Sequence, residues 1–136
     1  MSTLVYIYGT LKTGHVRHSA LREERYIGIS KTAPKYIMYQ YGSYPALTEA
    51  ADGHKIYGEL YEVSDACMME LDKIEGTANG LFARKEIELE EVTLSQLPVD
   101  EAVWTKIANK RAVAYVFQNL EKLRGARDCG QMWFLK

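Results

Sequence analysis

The chain has 136 residues, 47% of them hydrophobic, and its 17 Lys and Arg against 18 Asp and Glu leave a formal charge of −1 at neutral pH. That length and apolar content predict one globular domain over residues 1–136, with a core that needs neither disulfides nor a structural metal. So balanced a charge draws in neither nucleic acid nor anionic lipid, and no apolar run approaches the roughly 18 residues of a membrane span.

Residues 3–8 alternate β-branched, aromatic and aliphatic side chains and stop at Gly9, the pattern of a buried strand ending in a tight turn. Val16, Ala20 and Leu21 recur at helical spacing among charges, so the loop 9–14 is expected to lead into a short surface helix within 15–24. Residues 26–30 and 35–41 read as strands on either side of Pro34, and Gly42-Ser43-Tyr44-Pro45 supplies turn chemistry before a short strand at 46–48. The strand expected at 56–63 runs into Ser64-Asp65, an N-cap residue followed by an acid in the first helical turn.

In the helix that starts there, Cys67, Leu71 and Ile74 fall at i, i+4 and i+7 and Met68 joins Leu71 at i+3, with Gly76 as the stop. Strands are expected again at 82–90 and 111–117. Between them, 95–110 contains Pro98 and reads as a polar insertion with weak patterning. The last stretch, 120–136, combines Gly125, Gly130 and an apolar cluster at 132–135, and is expected to fold back as an irregular cover or edge strand.

Few residues in this frame could carry chemistry. Cys67 and Cys129 have no C-x-x-C spacing and read as two reduced, buried thiols, which with the absence of a secretory signal at the amino terminus predicts a cytoplasmic location. Glu75 borders the apolar stripe of its helix and sits in the last turn, where partial burial and the helix dipole both push a carboxyl pKa upward, toward what a general base needs. Pairing with a nearby cation at a helix end is the other role open to it.

Tyr8-Gly9-Thr10-Leu11-Lys12 follows a strand and precedes a helix, a context in which backbone N–H groups can converge on an anion; an ordinary turn uses the same residues. Gly9-x-x-x-x-Gly14 imitates a P-loop, but His15-Val16 stands where Lys and Ser or Thr belong, which removes the phosphate-reaching charge and the magnesium ligand. His15 and His18 find no compact ligand cluster to complete a metal site and read as surface histidines. Tyr36, Tyr39 and Tyr41 read as strand residues with polar tips, whereas Tyr44, beside Pro45 in a turn, is placed to line a cleft.

Taken in chain order, four segments resemble the γ-glutamylcyclotransferase family, the AIG2-like or BtrG-like group. VYIYGTLKTG is similar to its first strand and Y-G-T/S-L/N loop, and YGSYPAL to its G-x-x-P-A-L turn. GELYEVSDACMMELDKIEG is similar to its central strand and the helix ending in L-D-x-x-E-G, FARKEIEL to its Y-x-R strand, and Gly130 with Trp133 to a common ending.

The resemblance implies an α+β fold: a small, closed or nearly closed mixed and mostly antiparallel β-barrel with a few short helices. It implies a small-molecule γ-glutamyl substrate, no metal or organic cofactor, Glu75 as catalytic acid and base, and Tyr8, Gly9, Thr10 and Leu11 around the glutamyl end; Tyr44 is the further substrate-binding candidate, from its place in the turn. Phe82 departs from the family's Tyr and removes that hydroxyl; Arg84 matches the family's Arg and is open to two roles, anchoring an anion or pairing with Asp72 or Glu86. The reaction implied is attack of the substrate's own α-amine on its γ-carbonyl, closing 5-oxoproline and releasing an amine. The competing expectation is a non-catalytic protein of the same fold that binds an amino-acid-like metabolite or a protein partner. The motifs leave the amine half of the substrate and the oligomeric state unspecified.

Overall fold

The computed structural model describes residues 2–8, 21, 24–41, 44–75, 82–128 and 130, and of Tyr44 and Glu75 the backbone alone. The elements run β1 (Ser2–Ile7), β2 (Arg25–Thr32), β3 (Tyr36–Tyr41), β4 (Tyr44–Glu49), β5 (Tyr57–Ser64), α1 (Asp65–Glu75), β6 (Phe82–Leu94), α2 (Glu101–Ala108) and β7 (Arg111–Phe117), followed by a 3-10 turn at Leu120–Leu123. Five strands close a barrel in the order β1-β5-β2-β6-β7, and β3 with β4 forms a separate antiparallel hairpin. The barrel pairings are antiparallel except at the seam, where β1 meets β7 in parallel at Val5 and Val113. The mixed barrel with short helices that the resemblance implies is the fold observed.

Successive strand side chains point to opposite faces, and here both faces of β1 and β7 are buried. Leu4, Tyr6, Ala112, Ala114 and Val116 point into the barrel with Ile27, Leu60, Ile87 and Leu89. Val5, Ile7, Tyr115 and Phe117 point outward into a second cluster with Tyr61, Val63, Met68 and Leu71, which α1 covers. That is why 3–8 and 111–117 carry near-continuous apolar runs, whereas β6, covered on one side over much of its length, alternates with charges.

Two readings of the sequence are corrected. The stretch 95–110 is not an unpatterned insertion, since it contains α2, and β6 continues past residue 90 to Leu94. The helix has only eight residues and two inward apolar positions, Val103 and Ile107, too few for a clear period; burial of Val103 against the interior cluster at the β1–β7 seam stabilises it. Asp100 is its N-cap, accepting the Ala102 N–H at 2.8 Å and the Ser2 N–H at 2.9 Å, and these bonds hold its carboxyl below the ordinary aspartate range. Glu62, buried on β5, accepts the Val99 and Asp100 N–H groups at 3.1 and 2.8 Å and so secures the approach to α2.

The described part of the final stretch, residues 120–128, does fold back, joining the hairpin through the Tyr39–Asp128 bridge and the Gln40 N–H donating to Arg127 O at 2.8 Å. Of the helix expected within 15–24 only Leu21 and Glu24 are described, and the cluster at 132–135 lies outside the described residues. No helix among the described residues is long and apolar enough to cross a membrane.

Gly58 is required by a close approach. A Cβ there would sit 2.5 Å from the Tyr6 ring and 2.6 Å from Ile7 O, and Tyr6 cannot retreat because its hydroxyl donates to Ile56 O at 2.6 Å. Gly58→Ala is expected to destabilise the fold by about 2 kcal/mol. Urea melts check this: a lower midpoint at unchanged slope supports the packing argument, and an unchanged midpoint contradicts it.

Candidate active site

Helix α1 begins where a side chain can satisfy its free N–H groups. Ser64 Oγ accepts the Cys67 N–H at 3.3 Å, and Glu24 Oε1 in turn accepts the Ser64 N–H at 2.7 Å and hydroxyl at 2.9 Å. Met68 and Leu71 are buried in the outer cluster, so the helix lies across β5 and β1. Cys67 is half-buried rather than buried as expected; burial and the neighbouring Glu24 carboxylate push its thiol up to about 11. It is a neutral thiol at physiological pH and a poor nucleophile. Cys129, His15 and His18 lie outside the described residues.

The last turn of α1 is tied to the barrel by Asp72. Its Oδ1 accepts the Tyr115 hydroxyl at 2.7 Å and pairs with Arg84 Nε at 3.0 Å. Arg84 and Tyr115 stand directly opposite each other on β6 and β7, which explains how one carboxylate oxygen meets both. Arg84 thus takes Asp72 as its partner, while Glu86 pairs with Lys106. Glu75 ends the helix one turn beyond Asp72.

The other candidate, Tyr8, follows β1 directly and is buried. Its hydroxyl donates to Tyr115 O at 2.6 Å and accepts the Leu47 N–H at 3.4 Å, while its ring stacks on Tyr6 at 6.2 Å and 27°. Tyr115 therefore holds Tyr8 by its carbonyl and Asp72 by its hydroxyl, joining the end of β1 to the end of α1. The side chain of Glu75 and that of Tyr44, which opens β4, lie outside the described set, as do Gly9, Thr10 and Leu11.

Sequence reasoning missed Tyr115. Its signal is faint, one hydroxyl tip in a strand that is apolar after Arg111, and the partner it meets is 43 positions away. Beside this link, Phe82 packs edge-on against Phe117 at 5.1 Å and Phe117 meets Tyr41 at 4.9 Å, an apolar wall without a hydroxyl at position 82. Tyr36 is buried, and its hydroxyl accepts the Glu88 N–H at 2.9 Å.

Two hollows are bounded by described residues. One, of about 130 Å³, lies between α2 and β1, edged by Ser2, Glu86, Val103 and Lys106; the other, of about 420 Å³, lies between the hairpin and the 3-10 turn, edged by Tyr39, Glu49, Leu120 and Arg124. Neither is lined by Tyr8, Asp72, Arg84 or Tyr115.

The family described as gamma-glutamyl cyclotransferase, AIG2-like, matches residues 5–134. The chain belongs to this family. A relative from Vibrio cholerae, which carries the provisional name gamma-glutamylcyclotransferase, is 38% identical over 76 residues, 55% of this chain and 64% of that protein. A relative from Bos taurus named gamma-glutamylaminecyclotransferase is 33% identical over 79 residues, 52% of this chain and 47% of that protein. The chain thus spans about half to two thirds of the length of these two relatives.

Among solved structures, an AIG2-like protein from Mus musculus superposes with a TM-score of 0.66 at 21% identity, over 87% of this chain and 77% of that one. That likeness shows the fold. Within the AIG2-like family frame, the matched span contains both ends joined by Tyr115, at Tyr8 and at the last turn of α1.

Proposed function

We infer that the protein cyclises a γ-glutamyl amide to 5-oxoproline and releases the amine, with Glu75 as the acid and base. One observation carries this reading: in a chain of the gamma-glutamyl cyclotransferase family, the helix turn that ends in Glu75 is tethered through Asp72 and Tyr115 to Tyr8. A carboxylate that must meet a proton within hydrogen-bond reach needs such a fixed base.

The substrate brings both reacting groups. Its α-nitrogen forms a bond to the γ-carbonyl carbon, and the amide bond from that carbon to the leaving nitrogen breaks. The α-ammonium loses two protons and the leaving amine gains two, so water is not consumed and one carboxylate can shuttle between the nitrogens. Tyr8, Gly9, Thr10 and Leu11 hold the glutamyl end, backbone N–H groups of that turn facing its carboxylate or the developing oxyanion. Tyr44 flanks the same substrate, and the buried hydroxyl of Tyr8 acts from behind as a strut. The reading places the reaction in the cytoplasm.

A panel of γ-glutamyl amino acids and γ-glutamylamines assayed for 5-oxoproline tests it. Release from at least one member with multiple turnovers is expected. Tight binding without release across the panel would favour the non-catalytic alternative.

A further inference from the structure

Large hydrophobic side chains scattered singly over a surface need no explanation, but here they gather on one side. Among the described residues eight are exposed, and five of these, Ile29, Leu94, Leu97, Val99 and Trp104, lie on β2 and on the chain that leads from β6 into α2. Backbone bonds align them. Ser95 and Gln96 donate their N–H groups to Ile27 O at 2.7 and 3.1 Å, Arg25 Nε donates to Leu97 O at 2.7 Å, and the Val99 and Asp100 N–H groups donate to Glu62. Residues 94–99 therefore run along β2 from Gly28, the ladder partner of Leu94, past Arg25 and its β5 partner Glu62 to the start of α2. The result is a ridge: Pro98 is buried, while Leu97 and Val99 on either side of it are 59% and 78% exposed.

Two charges flank the ridge. Arg25 stands on its β2 side and Glu101, the first residue of α2, on the other; both are exposed, and among the described residues neither belongs to an ion pair. Each glutamate of β6, by contrast, pairs with a lysine. Opposite charges on the two sides of an apolar ridge make a surface complementary to itself. A two-fold axis lying across Leu97 and Val99 brings Arg25 of one copy to Glu101 of the other, and does so twice.

We propose that this ridge is the interface of a homodimer, with Leu97 and Val99 at its centre, Arg25 and Glu101 paired between copies at its rim, and Ile29, Leu94 and Trp104 widening the apolar contact. The bonds to Ile27, Arg25 and Glu62 hold the ridge in shape before it docks, so little chain freedom is lost on association.

Sedimentation equilibrium of the full chain at low salt, from about 1 to about 500 µM, tests this, and the average mass is expected to rise from that of a monomer to that of a dimer. Leu97→Asp combined with Val99→Asp should weaken association by about a hundredfold or more and leave the thermal midpoint near its original value, because both side chains are exposed. Leu120→Asp, at a leucine 62% exposed away from the ridge, is the control and should change nothing. Arg25→Glu and Glu101→Arg each set like charges together and should weaken self-association by about tenfold or more, whereas an equimolar mixture of the two should form a heterodimer of near-original affinity, because opposite charges meet again at both contacts.

A monomer at every concentration, or a dimer that the ridge substitutions leave intact or that Leu120→Asp weakens equally, overturns the proposal. Arg25→Glu also removes the bond to Leu97, so if it lowers the thermal midpoint the Glu101→Arg arm decides. Association weakened by that substitution and recovered in salt supports the pairing; association unchanged, or weakened regardless of salt, overturns it.

Discussion

Replacing Glu75 by Gln is expected to lower 5-oxoproline release by about 10² or more while leaving the thermal midpoint and ligand affinity near those of the unmutated protein. The side chains have the same shape and size, so packing at the end of α1 is preserved; what is lost is the ability to take up and return a proton. A positioned general base contributes about 10² to 10⁴ in rate, and here one group would serve both transfers. The loss should therefore fall on kcat and leave KM largely unmoved, because the turn at residues 8–11, and not the glutamate, is read as holding the glutamyl end. Steady-state kinetics with the best member of the substrate panel measures both constants. Unchanged kcat would remove Glu75 from the mechanism.

Leu71→Ala should have the largest effect on stability, about 3 kcal/mol, with a drop in thermal midpoint of about 10 °C. Leu71 is fully buried in the cluster that α1 forms with the outer faces of β1, β5 and β7, and truncation leaves a cavity on a side where those strands cannot follow. The neighbouring Met69 is 67% exposed, so Met69→Ala serves as a control expected within about 0.5 kcal/mol. Equilibrium denaturation of both variants checks the contrast, and similar losses in the two would mean that α1 is not held by this face. Leu71→Ala should also lower activity at temperatures where it remains folded, since Leu71 and Asp72 together seat the last turn of the helix.

Much of the fold was legible because its signals are local. Apolar, β-branched and aromatic runs marked β1 and β7 and alternation marked β5, each within a residue or two, and Ser64 followed by Asp65 marked the start of α1, where Ser64 does accept the Cys67 N–H. The short helix α2 was not legible, since two inward residues in eight make no period and its decisive bonds come from Ser2 and Glu62, far away in the chain. For the site, sequence pattern and family resemblance nominated Glu75 and Tyr8 separately, and Arg84 stood between two carboxylates with nothing local to choose one.

What the chain's own order determines is which segments become strands and helices, because side-chain period and caps act over a few residues. Closure of the barrel at Val5 and Val113, the choice of Asp72 over Glu86 by Arg84, and the junction at Tyr115 were decided only in three dimensions. The bonds made by Tyr115 reach 43 residues back to Asp72 and 107 back to Tyr8, separations at which strand register, not local pattern, selects the partner.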